Sequence, residues 1–144
     1  MAVAVALSAC GGAKALSKPE FIRQWDAICA KDDQKVAVVY KDLPDQITQD
    51  TLPQFAQAVG RVLPIARQEV KDLRNVKPPE ADQTTINAIL DDLDQDIRAL
   101  DTGQRAAASG DLDAFNTAGQ ASSEIEGRAN KAAQAYGFKE CGKG

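Results

Sequence analysis

Residues 16–29 read LSKPEFIRQWDAIC, which combines the start signals of a helix with the beginning of an amphipathic pattern. Ser17 and Glu20 have the spacing of a capping box, in which the two residues satisfy free backbone N–H groups of the first turn. Leu16 and Phe21 occupy the positions of a hydrophobic staple around that cap. We therefore expect a helix to begin directly after Ser17.

From this cap onward, apolar residues recur every three or four positions, the period of a helix with one buried face. The stripe predicted for the first helix comprises Ile22, Trp25, Cys29, Val36, Val39 and Leu43. Breaks rich in Pro, Gly or Ser follow at 44–45, 77–79 and 109–110, and the pattern restarts after each of them. The sequence therefore predicts an all-α fold, an antiparallel up-and-down four-helix bundle with one disulfide, over residues 17–144.

Some single residues refine this prediction. Asp32 interrupts the first stripe, and we expect it at an edge turned to water. Pro64 follows Gly60 by four positions and should kink the second helix. Asp111 is the expected cap of the fourth helix, and Gly137 its left-handed stop.

Composition restricts the chemistry available to this protein. The chain has 144 residues, enough for one domain, and its net charge of -4 argues against a nucleic-acid partner. It contains no His, which excludes an imidazole base, a Ser-His-Asp triad and His-ligated zinc or haem. We expect no enzyme, no catalytic residue, no cofactor and no metal site.

The acidic run at 91–96 has alternating carboxylates like the opening of a calcium loop. However, Ile97 stands where that loop needs its turn glycine, and Gly103 where it needs its last glutamate. We predict a solvated acidic helix face instead. Residues 52–77 carry five basic and two acidic side chains, and residues 82–105 carry two basic and six acidic ones, so the second and third helices should attract each other.

The N-terminal residues favour export. Residues 1–9 are apolar and end in small residues, although they are short and lack a basic start. We expect them to be the remnant of a signal peptide that begins upstream. The stretch 7–10, LSAC, resembles a lipobox, which implies a lipid on Cys10 and a short tether over residues 10–16. The alternative is an Ala-rich extension on a soluble protein.

Three cysteines leave one thiol without a partner. If Cys10 carries the lipid, Cys29 and Cys141 remain as a pair, and an oxidising compartment would keep them bridged. A pair of reactive thiols or a metal-binding pair is the alternative, but the chain has no His and no Cys-x-x-Cys motif to support it.

Nearly the whole chain resembles a set of small helical lipoproteins of actinobacteria that are uncharacterised in function. The stretches that carry the resemblance are LSAC at 7–10, LSKPEFI at 16–22, AIC at 27–29, PP at 78–79, GD at 110–111 and AYGFKECG at 135–142. The resemblance implies a location in the cell envelope and a Cys29–Cys141 disulfide. It transfers no activity and no catalytic residue.

These observations predict a lipoprotein anchored to the cell membrane through lipid on Cys10, on the extracytoplasmic face. We expect it to be non-catalytic and to bind another component of the envelope, such as a protein partner. The alternative is a carrier of a lipid or small molecule, held between the helices near the Gly60–Pro64 kink and the small residues of the fourth helix. The sequence identifies no ligand-binding residue.

Overall fold

Four α-helices make up most of residues 16–143, the part of the chain that the computed structural model describes. They are α1 Lys18–Tyr40, α2 Leu52–Asn75, α3 Gln83–Ala108 and α4 Leu112–Tyr136, with a 3-10 turn at Glu80–Asp82 before α3. No β-strand occurs between residues 16 and 143. The predicted all-α four-helix bundle is confirmed, while the predictions on residues 1–9 and on Cys10 lie outside the described residues.

The predicted caps fix the starts of α1 and α4. The backbone N–H of Ser17 donates to the Glu20 carboxylate at 2.9 Å, and the Ser17 hydroxyl donates to the same oxygen at 2.5 Å. At the start of α4, the Asp111 carboxylate accepts from the backbone N–H of Ala114 at 2.9 Å. These carboxylates satisfy N–H groups that have no partner within the helix.

The end of α4 is a Schellman motif around Gly137, which has a left-handed φ of 117°. The backbone N–H of Gly137 donates to the Gln134 carbonyl, and that of Phe138 donates to the Ala133 carbonyl, both at 3.1 Å. Residues with a Cβ rarely adopt this conformation, which explains the glycine. The motif turns the chain back toward α1.

After this turn, residues 137–143 lie against α1 and are fastened there in two ways. Cys141 forms a disulfide with Cys29, with a Cα–Cα distance of 5.3 Å. The Asp26 carboxylate accepts from the backbone N–H groups of Lys139, Glu140 and Cys141 at 2.9–3.1 Å. The start of α1 and the end of the chain therefore form one rigid end of the bundle.

The helices pack in sequence order, α1 on α2, α2 on α3, and α3 on α4. Opposite charges join α2 to α3 as predicted, since Arg74 lies 2.5 Å from Asp94 and Arg67 lies 3.1 Å from Asp101. By contrast, α1 and α4 have no comparable backbone contact along their length. They meet at one end, where Tyr136 packs against Phe21 and residues 137–143 lie against α1. The bundle is therefore open between α1 and α4.

The hydrophobic core is divided into two clusters. The larger cluster lies at the disulfide end and comprises Phe21, Trp25, Cys29, Val70, Leu73, Ile86, Ile89, Leu90, Ala133, Tyr136 and Phe138. The smaller cluster lies toward the other end and comprises Leu52, Ala56, Val59, Leu63, Ala107 and Phe115. Ile97 packs against both clusters.

One prediction about a single residue needs correction. Asp32 is not turned to water, because it is only 2% exposed and is paired with Lys35 at 2.5 Å. It continues the buried stripe formed by Phe21, Trp25 and Cys29. Lys35, one turn later, supplies the compensating charge.

Candidate binding cleft

The open side between α1 and α4 leads to two cavities, each lined by residues from all four helices. The first, the polar chamber, has a volume of about 150 Å³. It is lined by Trp25, Cys29, Asp33, Glu69, Leu73, Ile89, Leu93, Asp96, Glu126, Ala129, Asn130, Ala133, Glu140, Cys141, Gly142 and Lys143. The second, the apolar chamber, has about 160 Å³ and is lined by Tyr40, Phe55, Val59, Ala99, Leu100, Gly103, Phe115, Ala118, Gly119 and Ser122.

Each helix contributes one carboxylate to the polar chamber. Asp33 comes from α1, Glu69 from α2, Asp96 from α3 and Glu126 from α4. Within residues 16–143, none of these four forms an ion pair. Asp33 and Glu126 stand at the exposed mouth of the chamber, whereas Glu69 and Asp96 are half-buried. The chamber therefore gathers four carboxyl groups, none of which is paired with a cation between residues 16 and 143.

Glu69 is the most perturbed of the four carboxyl groups. Its burial, together with the negative charges of Asp32 and Asp33, raises its pKa to about 8, and Lys35 opposes this effect. Burial and the charges of Glu140 and Asp32 also raise the pKa of Asp33. Glu69 is thus mainly protonated at neutral pH and can donate a hydrogen bond.

The pKa values of Asp96 and of the groups around it are also raised. Burial raises the pKa of Asp96, although the Ser122 hydroxyl donates a hydrogen bond that favours the ionised form. Burial and the nearby Asp96 raise the pKa of Glu126, and the same two causes raise the pKa of Tyr40. Because Asp96 lines the polar chamber and Ser122 the apolar one, their hydrogen bond marks the boundary between the two.

Trp25 forms a buried part of the wall of the polar chamber. Its side chain is 1% exposed and stacks on Phe138 with ring centroids 5.0 Å apart. Its indole N–H has no hydrogen-bond partner, which holds for no other buried side-chain nitrogen or oxygen between residues 16 and 143. An unpaired buried donor costs on the order of 1–3 kcal/mol. The nitrogen has less than 1 Å² of accessible surface, so it is enclosed by protein atoms rather than open to the chamber.

The chain end closes one side of the polar chamber. Gly142 has a φ of 126°, and a Cβ at this position would lie 3.1 Å from the Asn130 carbonyl oxygen and 3.2 Å from the Ala133 Cβ. The Gly142 carbonyl accepts from the Gln134 side chain at 2.6 Å. The disulfide to Cys141 and this close contact with α4 hold the wall in place.

The apolar chamber adjoins an exposed hydrophobic side chain. Phe55 and Phe115 line it with ring centroids 6.2 Å apart. Ile47 is 44% exposed and lines an open depression that shares Phe115 with this chamber. This end of the cleft therefore offers apolar surface rather than charge.

The prediction for the acidic run at 91–96 is right in part. Asp92 pairs with Arg128 of α4 at 2.7 Å, and Asp94 pairs with Arg74 of α2, as a solvated interhelix face would. It is wrong for Asp96, which lines the cleft. Gly60 and Pro64, where a ligand site was considered, are both exposed and line neither chamber.

The sequence analysis missed Asp33, Glu69 and Glu126, although a signal for Glu69 and Glu126 was present. Glu69 stands four residues before Leu73, in step with the buried stripe of α2. Glu126 stands between Ser122 and Ala129, in step with the buried stripe of α4. Carboxylates at stripe positions of several helices are an indication of a polar interior.

Two further structural findings concern the described residues alone. No group of three or more Cys, Asp or Glu side chains between residues 16 and 143 is arranged so that it could hold a metal ion. In the same range, no helix has the length and apolar character needed to cross a membrane.

Comparisons of the chain with family models, with curated proteins and with solved structures find no match.

Proposed function

We propose that this protein is a non-catalytic lipoprotein of the cell envelope that binds a small molecule in the cleft between α1 and α4. The observation that carries the proposal is the polar chamber, where four helices each place an unpaired carboxylate around a cavity of about 150 Å³. Glu69 and Asp96 are half-buried without a cation, and this arrangement costs stability. A ligand that satisfies these groups would account for the cost.

The proposed location in the cell envelope rests on the sequence pattern at Cys10. Lipid on this residue would anchor the protein to the membrane on its extracytoplasmic face, and the oxidised Cys29–Cys141 pair is consistent with that compartment. Ser17 follows Cys10 by seven residues, so the tether spans roughly 25 Å at most. The polar chamber lies toward the end of the bundle where α1 begins, the end nearest the anchor.

The binding proposal is tested by native mass spectrometry of the protein extracted from its own membrane. We expect a non-covalent adduct of a small molecule, retained in a gentle spray and lost on collisional activation. The matched variant is Ala129→Leu, which fills the polar chamber from α4 and should abolish the adduct. A protein that carries no adduct, and acquires none from an extract of its own cells, would refute the proposal.

The proposed lipid anchor is tested separately, by mass spectrometry of the N-terminal peptide from the same preparation. The N-terminal peptide is expected to begin at Cys10 and to carry acyl chains. A chain that retains an unlipidated Cys10 would contradict the anchor without affecting the binding proposal.

A second candidate function, docking to an envelope protein, is favoured by two exposed hydrophobic side chains, Val38 at 68% and Ile47 at 44% exposed. A photo-crosslinking residue at position 38 should capture one envelope protein reproducibly in cells. The matched control is the same residue at position 84, an exposed site on α3. Equal capture at both positions, or none at position 38, would exclude this surface.

A further inference from the structure

We propose that the second half of α1 and the connection after it, residues 33–47, form a strap that closes on α4 at low pH and opens at high pH. When the strap closes it narrows the cleft, and it thereby controls access to both chambers. This inference concerns a motion of the protein and goes beyond the proposed function, because it holds whether or not the cleft binds a ligand.

The strap takes no part in the hydrophobic core. The buried residues of α1 all precede it, and they are Phe21, Trp25, Cys29 and Asp32. From residue 33 to residue 51 no side chain is buried, and none is part of either hydrophobic cluster or packed against one. Just beyond the strap, the side chain of Gln49 donates to the Gly110 carbonyl at 3.0 Å. Segments with so few buried contacts are those that move at the lowest cost.

The disulfide end of the bundle is the pivot of this motion. Cys29 carries the disulfide, and Asp26 accepts from three backbone N–H groups of the chain end, so the first half of α1 is fixed. From Cys29 to Tyr40 the helix is about 16 Å long, and a tilt of about 15° at the pivot would move Tyr40 by about 4 Å.

The facing side of α4 offers room for the strap to close. Gly119 lines the apolar chamber and the neighbouring open depression. A Cβ built on it would meet no heavy atom of residues 16–143 within 4 Å, outside its own turn of helix. Tyr40 lines the same chamber from α1 and is 36% exposed. Closure would lay the Tyr40 ring toward Gly119 and remove apolar surface from water, which favours the closed strap.

Ionised carboxyl groups on both sides of the cleft oppose closure. The strap carries Asp33, whose negative charge acts on Glu69 of α2 and on Glu126 of α4. The charge of Glu140, on the chain end, acts on Asp33 in turn. Like charges repel more strongly as they approach, so a movement of the strap toward α4 is unfavourable while these groups are ionised.

The other charged groups around the strap leave this repulsion in place. Asp96 of α3 adds a further carboxyl group to the cleft wall. Lys35 and Lys143 are the basic residues that act on these carboxyl groups. Each of them already has a partner, since Lys35 lies 2.5 Å from Asp32 and Lys143 lies 2.6 Å from Glu140.

Protonation of the carboxyl groups removes the repulsion, so a fall in pH favours closure. Burial raises the pKa values of Asp33, Asp96 and Glu126. Burial and the charges of Asp32 and Asp33 raise the pKa of Glu69 to about 8. Closure brings these groups together and raises their pKa values further, so by linkage the closed strap gains population as protons bind. The change should therefore lie between pH 9 and pH 4.5.

The test measures the separation of α1 and α4 by pulsed electron paramagnetic resonance on the full chain in detergent, at pH 4.5 and pH 9. A ketone-bearing amino acid replaces the exposed Val38 and Gln120, and nitroxide labels are joined to it through oxime bonds, which leaves the disulfide intact. We expect the two labels to be about 4 Å closer at pH 4.5 than at pH 9. The matched pair carries its labels at Gln57, exposed on α2, and at Gln120, and its separation should stay constant.

Variants assign the cause of the movement. Asp33→Asn combined with Glu126→Gln should bring the labels closer at pH 9, toward their separation at pH 4.5, because two opposing charges are lost. Glu124→Gln is the control and should behave as the wild type, because Glu124 is exposed on α4 and lines neither chamber. Gly119→Leu fills the space that the closed strap needs, and it should keep the labels apart at pH 4.5.

Two results would overturn the inference. One is a separation between positions 38 and 120 that is equal at both pH values or longer at pH 4.5. The other is an equal change in the pair at positions 57 and 120, which would show a loosening of the whole bundle. No ligand takes part in these measurements, so their outcome is independent of the mass spectrum that tests the proposed function.

Discussion

Replacing Glu69 with Gln should stabilise the protein, and the gain should depend on pH. Gln keeps the shape of the protonated carboxyl and its ability to donate, but it cannot acquire a charge. In the wild type, ionisation of Glu69 places a negative charge in a half-buried site near Asp32 and Asp33. The substitution removes that cost.

The size and sign of the effect follow from linkage. The Glu69 pKa is about 8 in the folded protein against an ordinary value of 4.5. A raised carboxyl pKa means that its stabilising contribution is complete below about pH 4.5 and is lost as the pH rises toward 8. One pKa unit corresponds to about 1.4 kcal/mol, and partial exposure reduces the effect, so we expect a loss on the order of 3 kcal/mol at pH 8.

The assay is urea unfolding at pH 5 and pH 8, followed by Trp fluorescence and by far-UV circular dichroism, with the disulfide intact. Glu69→Gln should be close to the wild type at pH 5 and more stable by on the order of 3 kcal/mol at pH 8. Glu124→Gln should show no such difference between the two pH values. If Glu69→Gln gains the same at both pH values, or is less stable at pH 8, the electrostatic account of the cleft is wrong.

Three further predictions concern the chain end that walls the polar chamber. Asp26→Ala should lower the free energy of unfolding by about 2–3 kcal/mol, because three backbone N–H groups lose a charged acceptor. Urea unfolding measures this loss. A loss no larger than that of Glu124→Ala would contradict the prediction. Replacing Cys29 and Cys141 by Ser should cost about 2–4 kcal/mol on the same measure, and an unchanged unfolding midpoint would show that the bridge constrains nothing. Gly142→Ala should lower the thermal midpoint, since its Cβ would lie 3.1 Å from a backbone oxygen at a positive φ, and an unchanged midpoint would mean that the wall is loose.

Much of the fold follows from local signals. The box at Ser17 and Glu20, the cap at Asp111 and the stop at Gly137 are short-range motifs, and each formed where the sequence predicts it. Such motifs depend on neighbours within one turn, so they can be recognised without knowledge of the tertiary structure. The attraction between α2 and α3 could also be predicted, because consecutive helices in a bundle are neighbours.

The cleft could not be predicted in the same way. It depends on the distance between α1 and α4, which are the first and last helices and meet at one end, where Tyr136 packs against Phe21. The rotation of each helix about its axis decides whether a carboxylate near the edge of a stripe faces water or the interior. In α1 the buried stripe of Trp25 and Cys29 continues through Asp32, and in α3 the helix places Asp96 in the wall of the cleft.

The most direct test of the account is a crystal structure, at pH 8, of the protein purified from its own membrane. The account predicts density for a bound molecule in the polar chamber, in contact with Glu69 and Asp96. A structure in which α1 and α4 close on each other and side chains of the protein fill this space would contradict it.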